Sequence, residues 1–389
     1  MRVVIIHQYF KTPQEGGAIR SYYLAKGLLD AGHEVEVVTA HNNPATSQSV
    51  EGIKVHYLPV FYDNELGAIS RVIAFVKFVV LATKKTIQIP KGDVNYVIST
   101  PLSVGLIAWF LKVFRGTPYI FEIGDLWPEA PIQLGYIKNT LLKGILYWFE
   151  KLVYRKSKNI VAMSPDIQQF VLKTQPADKV IMIPNMSDCE FYQPIDKPIE
   201  ILEKYAVKDK FVISYVGTAG RANHLEYLVE AAKSFQKALP QVKFLVASAG
   251  RELQRIKGLV ESYGLTNIDF INYLDRTGVK ELLSITDAVY VSFANVPILS
   301  SGSPNKFFDG LAAGKLMITN FGGWTKEVIE ENQCGFSYDG EKPEKLIKKF
   351  SSYLKNEELL KSAKQNARTL AEKSYSREKL IKEWVELFN

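Results

Sequence analysis

Short runs of β-branched and apolar residues recur along the chain, separated by stretches with helical spacing. The first series is Arg2 to Ile6, Val35 to Thr39, Lys54 to Leu58, Val94 to Ile98, Tyr119 to Phe121, Asn159 to Ala162 and Val180 to Ile183. A second comprises Phe211 to Val216, Phe244 to Ala247, Ile268 to Ile271, Ala288 to Ser292 and Leu316 to Thr319. Continuous apolar strands alternating with helices predict parallel sheets built of βα units, that is, an α/β fold. Between the series, Pro184, Asn185, Pro194, Asp196, Lys197 and Pro198 break the periodicity and mark a linker. The predicted organisation is two doubly wound, Rossmann-like domains, residues 1–190 and 191–375, followed by a terminal helix, 376–389, packing back toward the first. Ligands of such folds bind at the carboxyl ends of the strands, so the expected site lies in a cleft between the domains.

The length of 389 residues and an apolar content of 47% suffice for two sizeable cores. Cys189 and Cys334 lack any second thiol at metal or disulfide spacing, and Met1-Arg2-Val3-Val4-Ile5-Ile6 reads as a first strand and not as a secretion signal, so a reducing cytoplasm is expected. The net charge of +7 is concentrated. Residues 67–91 hold Arg71, Lys77, Lys84, Lys85 and Lys91 with no acid, and residues 138–158 hold six cations against Glu150 alone. Both blocks enclose apolar runs shorter than the roughly 20 residues needed to cross a bilayer. They fit interfacial membrane helices or core helices with a solvated charged face. No RNA-binding signature or zinc finger accompanies them, which sets nucleic acid aside.

Four segments carry candidate chemistry. Phe121 to Glu129 ends an apolar strand at Asp125 and Glu129 beside Trp127, a set suited to sugar, whose faces stack on aromatics and whose hydroxyls bond carboxylates. Gly16-Gly17 after the first strand, preceded by Glu15, opens a helix where backbone amides can approach an anion. Val216-Gly217-Thr218-Ala219-Gly220-Arg221 repeats the device in the second half, without the G-x-G-x-x-G spacing of a nicotinamide site. In Ser301-Gly302-Ser303-Pro304-Asn305-Lys306, Pro304 is expected as the first helical residue, leaving free amides and the Lys306 ammonium for a diphosphate, with Asp309 one turn on for ribose hydroxyls. The chain has no Asp-x-Asp, no paired histidines at zinc spacing, no G-x-S-x-G and no P-loop, so no metal or other cofactor is expected and cations must take a metal's place.

These segments together resemble, over essentially the whole chain, the retaining glycosyltransferases of family 4 with the two-domain GT-B fold. Within that family the chain is similar to the bacterial branch carrying Asp125-Leu126-Trp127-Pro128-Glu129, which includes L-fucosamine and related amino-sugar transferases of surface polysaccharide assembly. The resemblance implies a nucleotide-sugar donor, UDP-linked, on the second domain and an acceptor on the first. Lys306 and Arg221 would stabilise the leaving diphosphate, Asp309 would hold the ribose, and Asp125 would orient the acceptor hydroxyl or donor sugar. Gly16 and Gly17 would approach the donor, Trp127 and Glu129 would shape the pocket, and Glu15 would touch the acceptor. Thr218 stands where the family usually has Arg, Gly124 where it often has His, and Ser301 where it has the first carboxylate of Glu-x7-Glu. The expected partners are the donor, a lipid-diphosphate-linked saccharide and the cytoplasmic face of the inner membrane, in O-antigen or related synthesis. An epimerase of the same fold and a noncatalytic nucleotide-sugar scaffold are the alternatives.

Overall fold

The computed structural model describes residues 1–389 apart from Ala18, Asn64, Glu65, Asn389 and the side chain of Ala68. Ala18 of the expected glycine segment and Asn389 of the terminal stretch therefore lie outside the described residues. In chain order the first half comprises β1 (Arg2–Ile6), α1 (Arg20–Asp30), β2 (Glu34–His41), β3 (Thr46–Val50), β4 (Ile53–Pro59), α2 (Ala68–Gln88), β5 (Val94–Ser99), α3 (Val104–Arg115), β6 (Tyr119–Ile123), α4 (Glu129–Gln133), α5 (Thr140–Lys156), β7 (Asn159–Ala162), α6 (Pro165–Leu172) and β8 (Val180–Met182). There follow α7 (Ile199–Lys204), β9 (Phe211–Thr218), α8 (Glu226–Ala238), β10 (Val242–Ala249), α9 (Leu253–Ser262), β11 (Ile268–Ile271), α10 (Arg276–Ile285), β12 (Ala288–Val291), α11 (Asn305–Ala312), β13 (Leu316–Thr319), α12 (Trp324–Glu331) and β14 (Gly335–Ser337). The chain closes with α13 (Pro343–Lys355), α14 (Glu357–Ser374) and α15 (Arg377–Val385).

Two compact units result. One holds residues 1–184, 301–303 and those from Glu378 onward; the other holds 185–300 and 304–377. The first has an eight-stranded sheet in the order β3-β4-β2-β1-β5-β6-β7-β8, the second a six-stranded sheet in the order β11-β10-β9-β12-β13-β14. All pairings are parallel except β3 with β4. Val3 to Ile6 are wholly buried, as expected of a strand covered on both faces.

Two strands escape the periodicity reading. Strand β3, Thr-Ser-Gln-Ser-Val, is an exposed polar edge formed because Glu51 and Gly52, at φ 47° and 90°, turn the chain back onto β4. Strand β14 has three residues, and Gly335 admits no side chain there because a Cβ would meet the Met317 carbonyl oxygen at 1.9 Å.

Each order reverses at one point: β1 lies between β2 and β5, and β9 lies between β10 and β12. Such switch points open a crevice at the strands' carboxyl ends, so the loops after β1, β5, β9 and β12 are the ones available to ligands.

An interior ion pair anchors the first crevice. The Arg20 Nε and Nη2 donate to the two Glu122 carboxylate oxygens at 3.1 and 2.9 Å, and its remaining donors reach the Pro184 and Ile183 carbonyl oxygens at 2.6 and 3.0 Å. The Tyr96 hydroxyl also donates to Glu122. This joins the start of α1 to β5, β6 and the end of the β8 segment. In the same unit, Trp384 of α15 is fully buried edge-on to Tyr96, and Gly27 of α1 lets Ile381 approach.

Glu122→Ala strands the Arg20 guanidinium without its carboxylate, and losing one member of a buried pair costs about 3–5 kcal/mol. Chemical denaturation is expected to show a loss of that size, whereas a change under about 1 kcal/mol would mean that the pair contributes no more than an exposed one.

Candidate functional site

In the second unit the phosphate candidates converge on the β9–β12 switch point. Gly217, at φ 148°, is fixed by the approach of Lys306 of α11: a Cβ at Gly217 would stand 2.7 Å from the Lys306 Nζ and 3.3 Å from the Tyr215 hydroxyl. The Lys306 ammonium donates to that hydroxyl at 3.0 Å and lies 4.1 Å from the Tyr215 ring centroid. Tyr215 in turn donates to the Thr218 carbonyl oxygen at 3.0 Å. One chain of contacts thus runs from α11 through the buried Tyr215 to the loop after β9.

Among the described residues no carboxylate pairs with Lys306. Loss of solvation alone brings its pKa down to about 7. A half-buried cation with only a neutral phenol and an aromatic face is electrostatically incomplete, and an anion entering beside it would restore its charge. Asp309, one turn further, has its carboxyl pushed up to about 7, chiefly by burial, with Arg276 lowering it and Asp188 raising it. Its neighbour Arg276 is already committed to Asp188, stacked over Phe191 at 3.8 Å.

The remaining members occupy differing surroundings. Asn305 is exposed at the first helical position. Pro304 is not the first helical residue, as expected, but the residue before it: its extended ψ of 131° holds it outside the helix, and α11 begins at Asn305. Arg221 is exposed on the loop after β9, and among the described residues no carboxylate claims it. Thr218 is half-buried at the end of β9. Ser301 and Gly302 are buried and Ser303 half-buried; these three count with the first unit, where the Ser164 hydroxyl donates to the Ser301 carbonyl oxygen at 2.6 Å.

In the first unit, Asp125 follows β6 and is solvent-exposed. Surrounding protein pushes its pKa upward, opposed by a long 3.4 Å hydrogen bond from the Thr100 hydroxyl of the β5 loop. Trp127 is half-buried, edge-on to Phe75 of α2 at 6.3 Å. Glu129 is less available: Gln133 donates to one of its oxygens at 2.7 Å and the Tyr147 hydroxyl to the other. Glu15 likewise accepts from the Thr12 amide at 2.8 Å and hydroxyl at 3.0 Å, closing its own loop. Gly16 and Gly17 take φ of 68° and 81°, the left-handed region, but α1 starts only at Arg20 and the Gly16 amide is spent on the Thr12 carbonyl oxygen at 3.2 Å. Of this pair, Gly17 alone is exposed.

Tyr215 is the residue that reading for motifs overlooks, since inside an apolar strand it passes for core. Its signal is the strand period of two, which sets Tyr215 on the same face as Gly217. His7, buried after β1 against the Ser21 hydroxyl at 2.8 Å, is held neutral, with burial bringing its pKa to about 3, and offers no proton-transfer group near neutrality.

Comparison with known proteins agrees with this division of the chain. Residues 15–186 match the family Glycosyl transferase 4-like domain, and residues 198–370 match Glycosyl transferases group 1. An uncharacterized glycosyltransferase of Methanocaldococcus jannaschii is 22% identical over 240 residues, which span 61% of this chain and 60% of that protein. The chain thus matches less than two thirds of that relative's length. Sucrose-phosphate synthase from Thermosynechococcus elongatus superposes with a TM-score of 0.78 at 17% identity, covering 100% of this chain and 98% of that one. Anabaena HepE in complex with UDP-glucose superposes with a TM-score of 0.74 at 15% identity, covering 100% and 99%. At these identities the solved structures speak for the fold, and the two matched domains speak for the family. With two parallel-sheet halves carrying one matched domain each, the chain belongs to the GT-B glycosyltransferases.

Proposed function

We propose that the protein transfers a sugar, of the N-acetylated amino-sugar class, from a UDP-sugar to a lipid-diphosphate-linked saccharide with retention of configuration, at the cytoplasmic face of the inner membrane during surface polysaccharide synthesis. The observation that carries the donor half is the Lys306 ammonium, half-buried, held by the Tyr215 hydroxyl and without a carboxylate partner among the described residues. HepE, of the same fold, binds UDP-glucose, which supports a nucleotide-sugar donor here.

On this reading the diphosphate lies against Lys306, with Arg221 and the amides ahead of α11 adding positive potential. Asp309 accepts from the ribose diol. Asp125 orients the acceptor hydroxyl, beside Trp127. The bond between the sugar anomeric carbon and the diphosphate oxygen loosens, the acceptor oxygen bonds to that carbon on the same face, and its proton passes to the departing phosphate. No protein nucleophile enters, and acceleration comes from positioning and from cations on the leaving group. An epimerase of the same fold is the less favoured reading, because both matched domains are glycosyltransferase domains.

Calorimetric titration with UDP, GDP and dTDP, with and without magnesium, tests the donor assignment. UDP is expected to bind preferentially and without metal; binding of none of the three would overturn it and favour a scaffold without a nucleotide ligand. Removal of one preorganised charge commonly lowers turnover by about a hundredfold or more, so Lys306→Ala is expected to reduce kcat to that extent, and unchanged turnover would remove Lys306 from the mechanism. Asp309→Asn should act mainly on the donor KM, because a ribose contact is made equally in ground and transition states. A fall in kcat alone would place Asp309 at the reacting centre instead.

A further inference from the structure

Helices α2, α3 and α5 cover one side of the first sheet and each has two apolar faces. On α2 the inward face is Ala74, Phe78 and Ala82, all buried. The outward face is Ile69, Ile73, Val76 and Val80, at helical spacing and 58–78% exposed. On α5 the outward stripe is Leu141, Ile145 and Trp148, at 75%, 51% and 63% exposed. Between the two, α3 exposes Val113 and Phe114.

The three helices form one continuous surface. Arg115 at the end of α3 donates to the Thr86 carbonyl oxygen of α2, and Lys112 donates to the Lys156 carbonyl oxygen of α5. Gly105 lets α3 close on α5, since a Cβ there would meet Val153 at 2.7 Å. An apolar surface contributed by three helices exceeds the scattered exposed residues normal on a protein exterior.

Its charges have a single sign. Across residues 67–121 the only acid is Asp93, and across 130–158 the only acid is Glu150, which is buried. Lys84 continues the α2 stripe one turn beyond Val80, and Arg155 continues the α5 stripe two turns beyond Trp148; both are exposed. Long basic side chains at the ends of an apolar stripe can keep their charge at the headgroups while the stripe enters the acyl region. No helix among the described residues is long and apolar enough to cross a membrane.

We infer that the α2–α3–α5 face inserts into the headgroup and upper acyl region of an anionic bilayer. Charge complementarity selects this occupant over a second copy of the chain, because a two-fold contact through this face would set basic residues against basic residues. The inference extends the lipid-linked acceptor reading by naming the surface that meets the membrane, and Trp127, edge-on to Phe75 of α2, places the candidate sugar pocket next to it.

Flotation with vesicles of phosphatidylcholine and phosphatidylglycerol tests this. The native chain is expected to float with them and to keep part of its binding at high salt, since apolar insertion is not screened. Val76→Asp with Ile145→Asp should weaken partition by about tenfold or more, as charges placed on an interfacial apolar face do. UDP binding should stay unchanged in that variant. The conservative Trp148→Phe should remove most quenching of tryptophan fluorescence by brominated lipid. Vesicle binding unaffected by the double substitution would overturn the inference, as would a native dimer that ignores vesicles and is split by the same substitutions. Loss of UDP binding in the native chain with vesicle binding intact would remove the transferase reading and leave this surface standing.

Discussion

An ammonium group with no carboxylate partner among the described residues, held where solvent reaches it poorly, is the constraint around which the second unit is arranged. Lys306 could have been neutralised by an adjacent carboxylate, as Lys197 and Lys364 are by Asp287. Instead it meets the Tyr215 phenol, and Gly217 gives up its side chain so that the ammonium fits. A polar but uncharged partner fixes the position of the cation without cancelling it. The cost is a lysine whose protonation is no longer assured at neutral pH, and a ligand anion is the natural remedy.

The first unit solves the opposite problem. Its buried guanidinium, Arg20, is fully engaged by Glu122 and by two backbone carbonyl oxygens, and therefore reads as a structural strut beneath the loops carrying Gly17 and Asp125. Arg20 and Lys306 both stand in the first turn of a helix that follows a switch-point loop. Their partners separate them, one saturated and one waiting. The same test demotes Glu129, whose two carboxylate oxygens are taken by Gln133 and Tyr147. Glu15 keeps one oxygen, since both Thr12 bonds fall on the other, and Asp125 and Asp309 are the candidates with most room for a substrate.

Much of the fold was legible because parallel strands covered on both faces must be apolar throughout. Strands β1, β5, β9 and β13 therefore announce themselves in the chain. Strand β3 could not, being polar and exposed, with its pairing set by the Glu51-Gly52 turn. Strand β14 is too short to show a period. At the candidate site, the glycine and Asn-Lys segments mark loops at the switch points because tight backbone geometry leaves a residue-type signature. Tyr215 and the isolation of Lys306 leave none, since the absence of a neighbouring carboxylate is a property of the folded chain. The outward stripes of α2 and α5 were visible as basic apolar blocks, but only the second, inward face of α2 shows that core packing does not use them up.

The central claim is that Lys306 gains its full charge from the donor diphosphate, and counting protons on binding tests it most directly. Calorimetry with UDP-N-acetylglucosamine, repeated in buffers of different ionisation enthalpy, yields that count, and the diphosphate diester does not itself titrate near neutrality. With both pKa values near 7, at about pH 8 Asp309 is already ionised while Lys306 is mostly a neutral amine, so binding should take up close to one proton. At about pH 6 the sign should reverse, because Lys306 is already charged and Asp309 must release its proton to accept the ribose hydroxyls. Uptake at the higher pH that disappears in Lys306→Ala is the predicted result. Binding without proton uptake there, or uptake that survives the substitution, would contradict it.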